Sequence, residues 1–174
     1  MRDIQIRPAT KFDIPAIVGI YAPAVLSGTA TFELEPPSPA EMLHRFEAIV
    51  GAGYPYLVAD RDGHVAGYAY VNVYRPRPAY RFAVEDSIYV AADAQGQGIG
   101  RQLLDALIEA STARGYRQMI AVIGDSRQAG SIALHRAAGF TFSGTLHSVG
   151  FKFGRWLDSV QMQRALGPGD TTPA

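Results

Sequence analysis

The sequence predicts an α+β fold built on one mixed sheet. Three observations lead there. Short apolar or alternating runs recur along the chain, in the manner of strands. Two of them, "YPYLVAD" and "HVAGYAYVNVY", are separated only by "RDG", which demands an antiparallel hairpin. Others are separated by segments of helical period, which supply crossovers, so hairpins and crossovers share one sheet. At 174 residues the chain can bury about 70% of its unfolded surface, enough for one self-sufficient domain.

The elements follow in order. "IQIR" alternates and reads as a first strand. In "TKFDIPAIVGIYAPAV" the residues Ile14, Ile17, Val18 and Tyr21 recur at helical spacing, Thr10 is placed to cap, and Pro15 falls in the tolerant first turn. A proline-rich break follows. Ser38 then caps a second helix, with Pro39 at its first position and Glu41 three residues after the cap. The hairpin turns at Asp62-Gly63. "YRPRPAYRF" reads as a loop, "AVEDSIYVAA" as a strand and "RQLLDALIEASTARG" as an amphipathic helix. "YRQMIAVIG" is a buried strand by its apolar run, and "SRQAGSIALHRAAGF" a shorter helix closed by Gly139. "FTFSGTLHSVGFKFGRWLDSVQMQRAL" reads as a final pair of strands. One domain is expected over residues 1–166, and a disordered tail over residues 167–174, "GPGDTTPA".

Composition removes several classes of function. Lys plus Arg and Asp plus Glu are 16 each, so the formal net charge is zero and nucleic-acid binding through bulk charge is not expected. There is no cysteine, which excludes disulfides, thiolate metal sites and a cysteine nucleophile. "MRDIQIRPAT" lacks the apolar core of a signal peptide, and no apolar run is long enough for a membrane span. A soluble cytoplasmic protein is expected. His44, His64 and His147 are too scattered to suggest a metal site.

The densest signal is "QGQGIG", Gln95 to Gly100, directly before the amphipathic helix. A helix N-terminus offers unpaired N–H groups and positive potential, and glycines let a phosphate approach without meeting a Cβ. The stretch therefore reads as a diphosphate cradle helped by Arg101, or as a tight turn with no ligand. A P-loop needs Lys after the glycines, and a dinucleotide site needs G-x-G-x-x-G with an acid about 20 residues on; neither is present. The stretch resembles the Q/R-x-x-G-x-G/A signature of the GNAT acetyltransferase superfamily, with Gln95, Gly98 and Gly100 on the fixed positions. "VEDSIYVAADAQGQGIGRQLL" and "ALHRAAGF" are similar to that family's cofactor strand–turn–helix and last helix. "YRPRPAYRFAVED" and "VGFKFGRWLDSVQMQ" look like its phosphinothricin and methionine sulfone N-acetyltransferase branch.

The resemblance implies a GNAT-like fold: a mixed, mostly antiparallel sheet with splayed middle strands, flanked by about four helices. It implies acetyl-CoA as co-substrate, no metal, a small amino-acid-like amine as acceptor, and a homodimer. By position, Ile88, Tyr89 and Val90 would meet pantetheine and the acetyl carbonyl, with the Ile88 and Val90 side chains in the core. Gln95, Gly96, Gln97, Gly98, Ile99, Gly100 and Arg101 would hold the diphosphate. Gln128 stands where the family has an Asn that touches coenzyme A.

Acetyl transfer to an amine needs a base for the ammonium, stabilisation of the developing oxyanion and a proton for the thiolate. Glu85 matches the branch's proposed base. Asp86, next to it, points to the opposite face of the strand and is the weaker candidate. His135 stands where many relatives place a tyrosine acid and could donate a proton near neutral pH. Arg75, Arg77 and Tyr80 suit a carboxylate or phosphinate beside a small side chain, and Arg81 belongs to the same stretch. Trp156 reads as core or dimer-interface packing. The alternatives are another amine, a protein N-terminus, or an acyl-CoA-binding module without activity.

Overall fold

The computed structural model describes residues 4–173. Residues 1–3 of the expected domain and Ala174 of the expected tail lie outside the described residues. Strand β1 (Ile4–Pro8) leads through a 3-10 turn into α1 (Ile14–Leu26) and α2 (Pro39–Gly51). β2 (Tyr56–Arg61), β3 (His64–Val73) and β4 (Ala83–Val90) form a meander, followed by α3 (Ile99–Ala113), β5 (Gln118–Gly124), α4 (Ala129–Ala137), β6 (Thr141–Lys152) and β7 (Arg155–Ala165). The strands make one seven-stranded sheet in the order β1-β2-β3-β4-β5-β7-β6. Only the β4–β5 pair among the described strands is parallel. That pair is joined by α3, as a parallel crossover requires.

The strands alternate between two cores. Val84, Ile88 and Val90 of β4 face the core under α3, where Leu103, Leu104 and Leu107 are fully buried. Tyr89 faces the other core, built from Ile17, Tyr21 and Val25 of α1, Phe46 of α2, and the ring stack of Tyr56 and Tyr68. β4 and β5 then part. Their pairing ends at Asp86 with Ala121, although β4 runs on to Val90 and β5 to Gly124. Residues 87–90 therefore keep unpaired backbone groups on the side facing β5, which a ligand or water must satisfy.

Local chemistry sets the element boundaries. The hairpin turn takes Asp62 at φ 55° and Gly63 at φ 82°, the left-handed pair that a two-residue hairpin favours. Ser38 Oγ accepts the Glu41 amide at 3.1 Å, and Pro39 opens α2. Thr10 does not cap α1 as expected. A 3-10 turn over Lys11–Asp13 intervenes, α1 starts at Ile14, and the Asp13 carboxylate accepts from the Thr10 amide at 2.8 Å and from Arg7 at 2.8 Å. The ion pair to β1 draws Asp13 into the cap position. In the tail, residues 167–172 form turns and bends, and Arg117 donates to the carbonyls of Gly169 and Pro173 and to Thr172 Oγ1.

Candidate active site

The parting of β4 from β5 opens a cleft of about 1080 Å³. Its floor is β4 from Asp86 to Val90 and β5 from Ala121 to Gly124. One rim is α1 with the loop after it (Gly19, Ile20, Ala24, Gly28); the other is the start of α4 (Gln128, Ser131, Leu134). The cleft thus passes through the sheet, so two reactants can meet from opposite faces.

At one end the cleft reaches the glycine turn. Gly96 and Gly98 adopt φ 72° and 79°, with Gly98 as the left-handed N-cap of α3. A Cβ on either would meet nothing within 4 Å, so glycine here serves backbone conformation and leaves the approach to the helix N-terminus open. Gln95, Gly96, Gly98, Ile99, Gly100 and Arg101 line this end. Gln97 does not: its side chain donates to the Asp93 carbonyl at 2.9 Å and accepts from Arg61. Arg101 spends its guanidinium on Asp105 at 2.7 Å and on the Ala137 carbonyl at 2.8 Å. Its side chain braces α3 against α4, which spacing alone could not show.

Where the strands part, Asp86 and His135 form a buried pair. His135 Nε2 lies 2.9 Å from Asp86 Oδ2, and Nδ1 lies 2.8 Å from the Ser131 carbonyl. A carbonyl only accepts, so Nδ1 carries a proton, and the pair holds one further proton between Nε2 and Oδ2. Burial pulls His135 down, but the Asp86 carboxylate outweighs it and holds the imidazole above its ordinary value. Asp86 Oδ1 is buried without a hydrogen-bond partner among the described residues. The sequence made Asp86 a weaker candidate base than Glu85, on the opposite face of the strand. It does occupy the opposite face, and there it pairs with the other candidate, His135.

Glu85 faces α1 and α2. It stands opposite Asn72 of β3 and beside Ile120 of β5, and it is half-buried. Burial first, then the neighbouring Asp86 charge, raises its carboxyl to about 6, while Arg75 pulls it down. Burial also raises Tyr70, with Ser87 and Arg45 opposing the rise and the Glu85 and Glu33 charges adding to it.

The sequence profile described as "Acetyltransferase (GNAT) family" matches residues 24–140. The chain is 56% identical over 160 residues to a phosphinothricin N-acetyltransferase of Alcaligenes faecalis, covering 92% of this chain and 81% of the relative. It is 46% identical over 170 residues to an L-methionine sulfoximine/L-methionine sulfone acetyltransferase of Pseudomonas paraeruginosa, covering 97% and 98%. The fold superposes, with a TM-score of 0.94 and 53% identity, on a phosphinothricin acetyltransferase of Sinorhizobium meliloti solved in complex with acetyl-CoA, covering 98% and 92% of the two chains. The chain belongs to the GNAT acetyltransferase family. It is an acetyl-CoA-dependent N-acetyltransferase.

In this acetyltransferase the glycine turn, the unpaired edge of β4 and the cleft suit the diphosphate and pantetheine of acetyl-CoA. Ile88, Tyr89 and Val90 line the cleft through the unpaired stretch of β4, and the side chains of Ile88 and Val90 pack in the core. Gln128 lines the cleft at the N-cap of α4, but its Nε2 donates to Thr29 Oγ1 at 3.1 Å. Arg75, Arg77 and Tyr80 stand outside the cleft on an exposed loop that makes one 3-10 turn at Pro78–Tyr80. Arg75 packs over the Tyr74 ring, which Tyr80 meets edge-on. Sequence reasoning missed Asp125, Thr29 and Tyr70. The signal for Asp125 was faint, an acid directly after a strand-ending glycine. For the other two, long-range packing alone brings them to the site.

Proposed function

We propose that this N-acetyltransferase acts on small amino-acid-like amines of the phosphinothricin, methionine sulfone and methionine sulfoximine type. Residues 1–166 act as one domain, and the reaction takes place in the cytoplasm, where acetyl-CoA is at hand. Acetyl-CoA, when bound, supplies an activated acetyl group on a thioester. The observation that carries the reading is Glu85, a half-buried carboxylate with a pKa near neutrality on the α1–α2 face of the strand that floors the cleft. A base with a value of about 6 is ionised at neutral pH, yet basic enough to take the proton of an incoming ammonium. His135, whose imidazole the Asp86 carboxylate holds above its ordinary value, is the proton donor to the departing sulfur, and it must turn one ring N–H from Asp86 or the Ser131 carbonyl to act. The backbone of residues 88–90 and the turn from Gln95 to Arg101 seat the cofactor, joined by Gln128. Arg75, Arg77 and Tyr80 recognise the acceptor's acid group.

The test is thiol release from acetyl-CoA with phosphinothricin, methionine sulfone, methionine sulfoximine and unrelated amines. Release with at least one of the first three, well above that with unrelated amines, is expected. Acetyl-CoA binding with no release from any amine would leave only a binding module. Arg77→Ala is expected to raise the KM of the amine about tenfold or more, as loss of a charge-assisted hydrogen bond does, with the KM of acetyl-CoA little changed. Equal effects on both would remove Arg77 from the acceptor site.

The enzyme works as a homodimer. Leu146, Val149 and Phe151 of β6, Phe153 of the turn after it and Trp156 of β7 are exposed apolar side chains at this edge of the sheet, with Phe151 and Trp156 in contact. Such an apolar edge is a self-complementary surface in search of a copy.

A further inference from the structure

Side chains far apart in sequence meet at one carboxylate. Asp125 follows β5, Thr29 lies between α1 and α2, and Arg155 opens β7. The Thr29 hydroxyl donates to Asp125 Oδ2 at 2.8 Å, and the Arg155 guanidinium donates to the same oxygen. Oδ1 accepts the Arg127 amide at 3.1 Å. The Asp125 amide donates to the Asp158 carbonyl at 2.8 Å, and its own carbonyl accepts the Gln128 amide at 3.0 Å. Gln128 Nε2 then reaches back to the Thr29 oxygen. Asp125 is 3% exposed and adopts φ 68°, a left-handed conformation that Asp tolerates better than most residues with a side chain. Burial alone would push its carboxyl up, but Arg155, the Arg127 amide and Thr29 hold it below the usual carboxylate range.

These partners stand on both rims of the cleft. Gln128 belongs to the α4 rim, and Gly28 and Ala30, which flank Thr29, belong to the α1 rim. Beyond Thr29 the same loop carries Glu33, which pairs with Arg45 of α2, so the loop is continuous with the α1–α2 face on which Glu85 lies. The hydroxyl of Thr29 uses its proton on Asp125 and its lone pair on Gln128, so the loop cannot shift without disturbing α4.

We propose that Asp125 is a positioning residue for acetyl transfer: through Thr29 it locks the α1–α2 loop to the Gln128 start of α4, so that seating the cofactor tightens the acceptor site. The idea rests on the reading above that Glu85, on the α1–α2 face, takes the proton of the incoming amine. Asp125 and Thr29 act on the reactants through the loop and α4. The loop has other anchors, since Lys152 Nζ donates to the Thr31 carbonyl at 3.0 Å and the Phe32 ring packs on Gly150. Cutting the latch therefore loosens one coupling while the loop stays attached.

The experiment compares wild type with Thr29→Val, Thr29→Ser and Asp125→Asn. In wild type, coenzyme A is expected to tighten methionine sulfone binding, measured by calorimetry. Thr29→Val, which loses the bridging hydroxyl, is expected to abolish that tightening and to raise the KM of the amine about tenfold, with kcat within about twofold. Thr29→Ser, which keeps the hydroxyl, restores both. Hydrogen exchange supplies a readout that needs no acceptor. Coenzyme A alone should slow exchange across residues 28–33 in wild type, and in neither Asp125→Asn nor Thr29→Val. If the variants lose only thermal stability and retain the tightening and the protection, Asp125 is structural and the proposal falls. If wild type shows no protection on cofactor binding, it also falls. If wild type shows the protection yet ignores methionine sulfone, the acceptor assignment fails and the latch stands.

Discussion

At the scale of single residues, two ionisable sites set the pH behaviour. Glu85, the proposed base, must be ionised to act, and burial raises its carboxyl to about 6, so turnover should fall as pH drops through that value. Glu85→Gln keeps size and hydrogen bonding but accepts no proton. It is expected to lower kcat by about 10²–10⁴-fold, to leave acetyl-CoA affinity near normal, and to recover in part at high pH as free amine becomes abundant. A pH–rate profile that keeps its acid limb in the variant would remove Glu85 from the role. The Asp86–His135 pair behaves in the opposite sense. The imidazole is held above its ordinary 6.5, so the pair's stabilisation is fully present below about 6.5 and is lost as pH rises through the folded-state value. Asp86→Ala strands a buried imidazole and should cost about 3–5 kcal/mol. Urea melts over a pH series check both, and a margin over the variant that grows with pH would contradict the pairing.

At the scale of elements, the turn before α3 does one thing that no side chain does. It carries two left-handed glycines that bring backbone N–H groups to the cleft with open space around them. Gly98→Val forces a β-branched residue into φ 79° at the N-cap and places a side chain where phosphate would pass. The expected outcome is weaker acetyl-CoA binding in a variant that still melts cooperatively. Unchanged affinity in calorimetry would show that the turn is not the diphosphate site. The helix behind the turn is held independently by Leu103, Leu104 and Leu107 in the core, which is why the fold should survive the change.

At the scale of the whole molecule, the sheet is asymmetric. Helices cover β1 to β5, whereas the outer strands expose Phe151 at 56% and Trp156 at 64%, with their rings in edge-on contact. A second copy is the proposed cover. Sedimentation should therefore find a dimer, and Trp156→Asp together with Phe151→Asp should yield monomers at micromolar concentration. Monomeric wild type would refute the interface. The same half of the sheet is tied back to α1 by the loop carrying Thr29 and Thr31, so the outer strands also help to hold the rim of the cleft.

Residues that act through local backbone geometry were legible in the sequence. Asp62-Gly63 fixes a turn, Ser38-Pro39 a helix start and Gln95–Gly100 the glycine turn that opens α3, because each depends on neighbours within a few positions. Alternation in "VEDSIYV" placed Glu85 and Asp86 on opposite faces for the same reason. Tertiary structure alone decided what each face meets. Asp86 finds His135 across 49 positions, Thr29 finds Asp125 across 96, and the Arg101 guanidinium is committed to Asp105 and the end of α4. A buried charge takes whichever partner the packed fold brings within hydrogen-bond reach, and that distance is set by the sheet and helices together rather than by spacing along the chain.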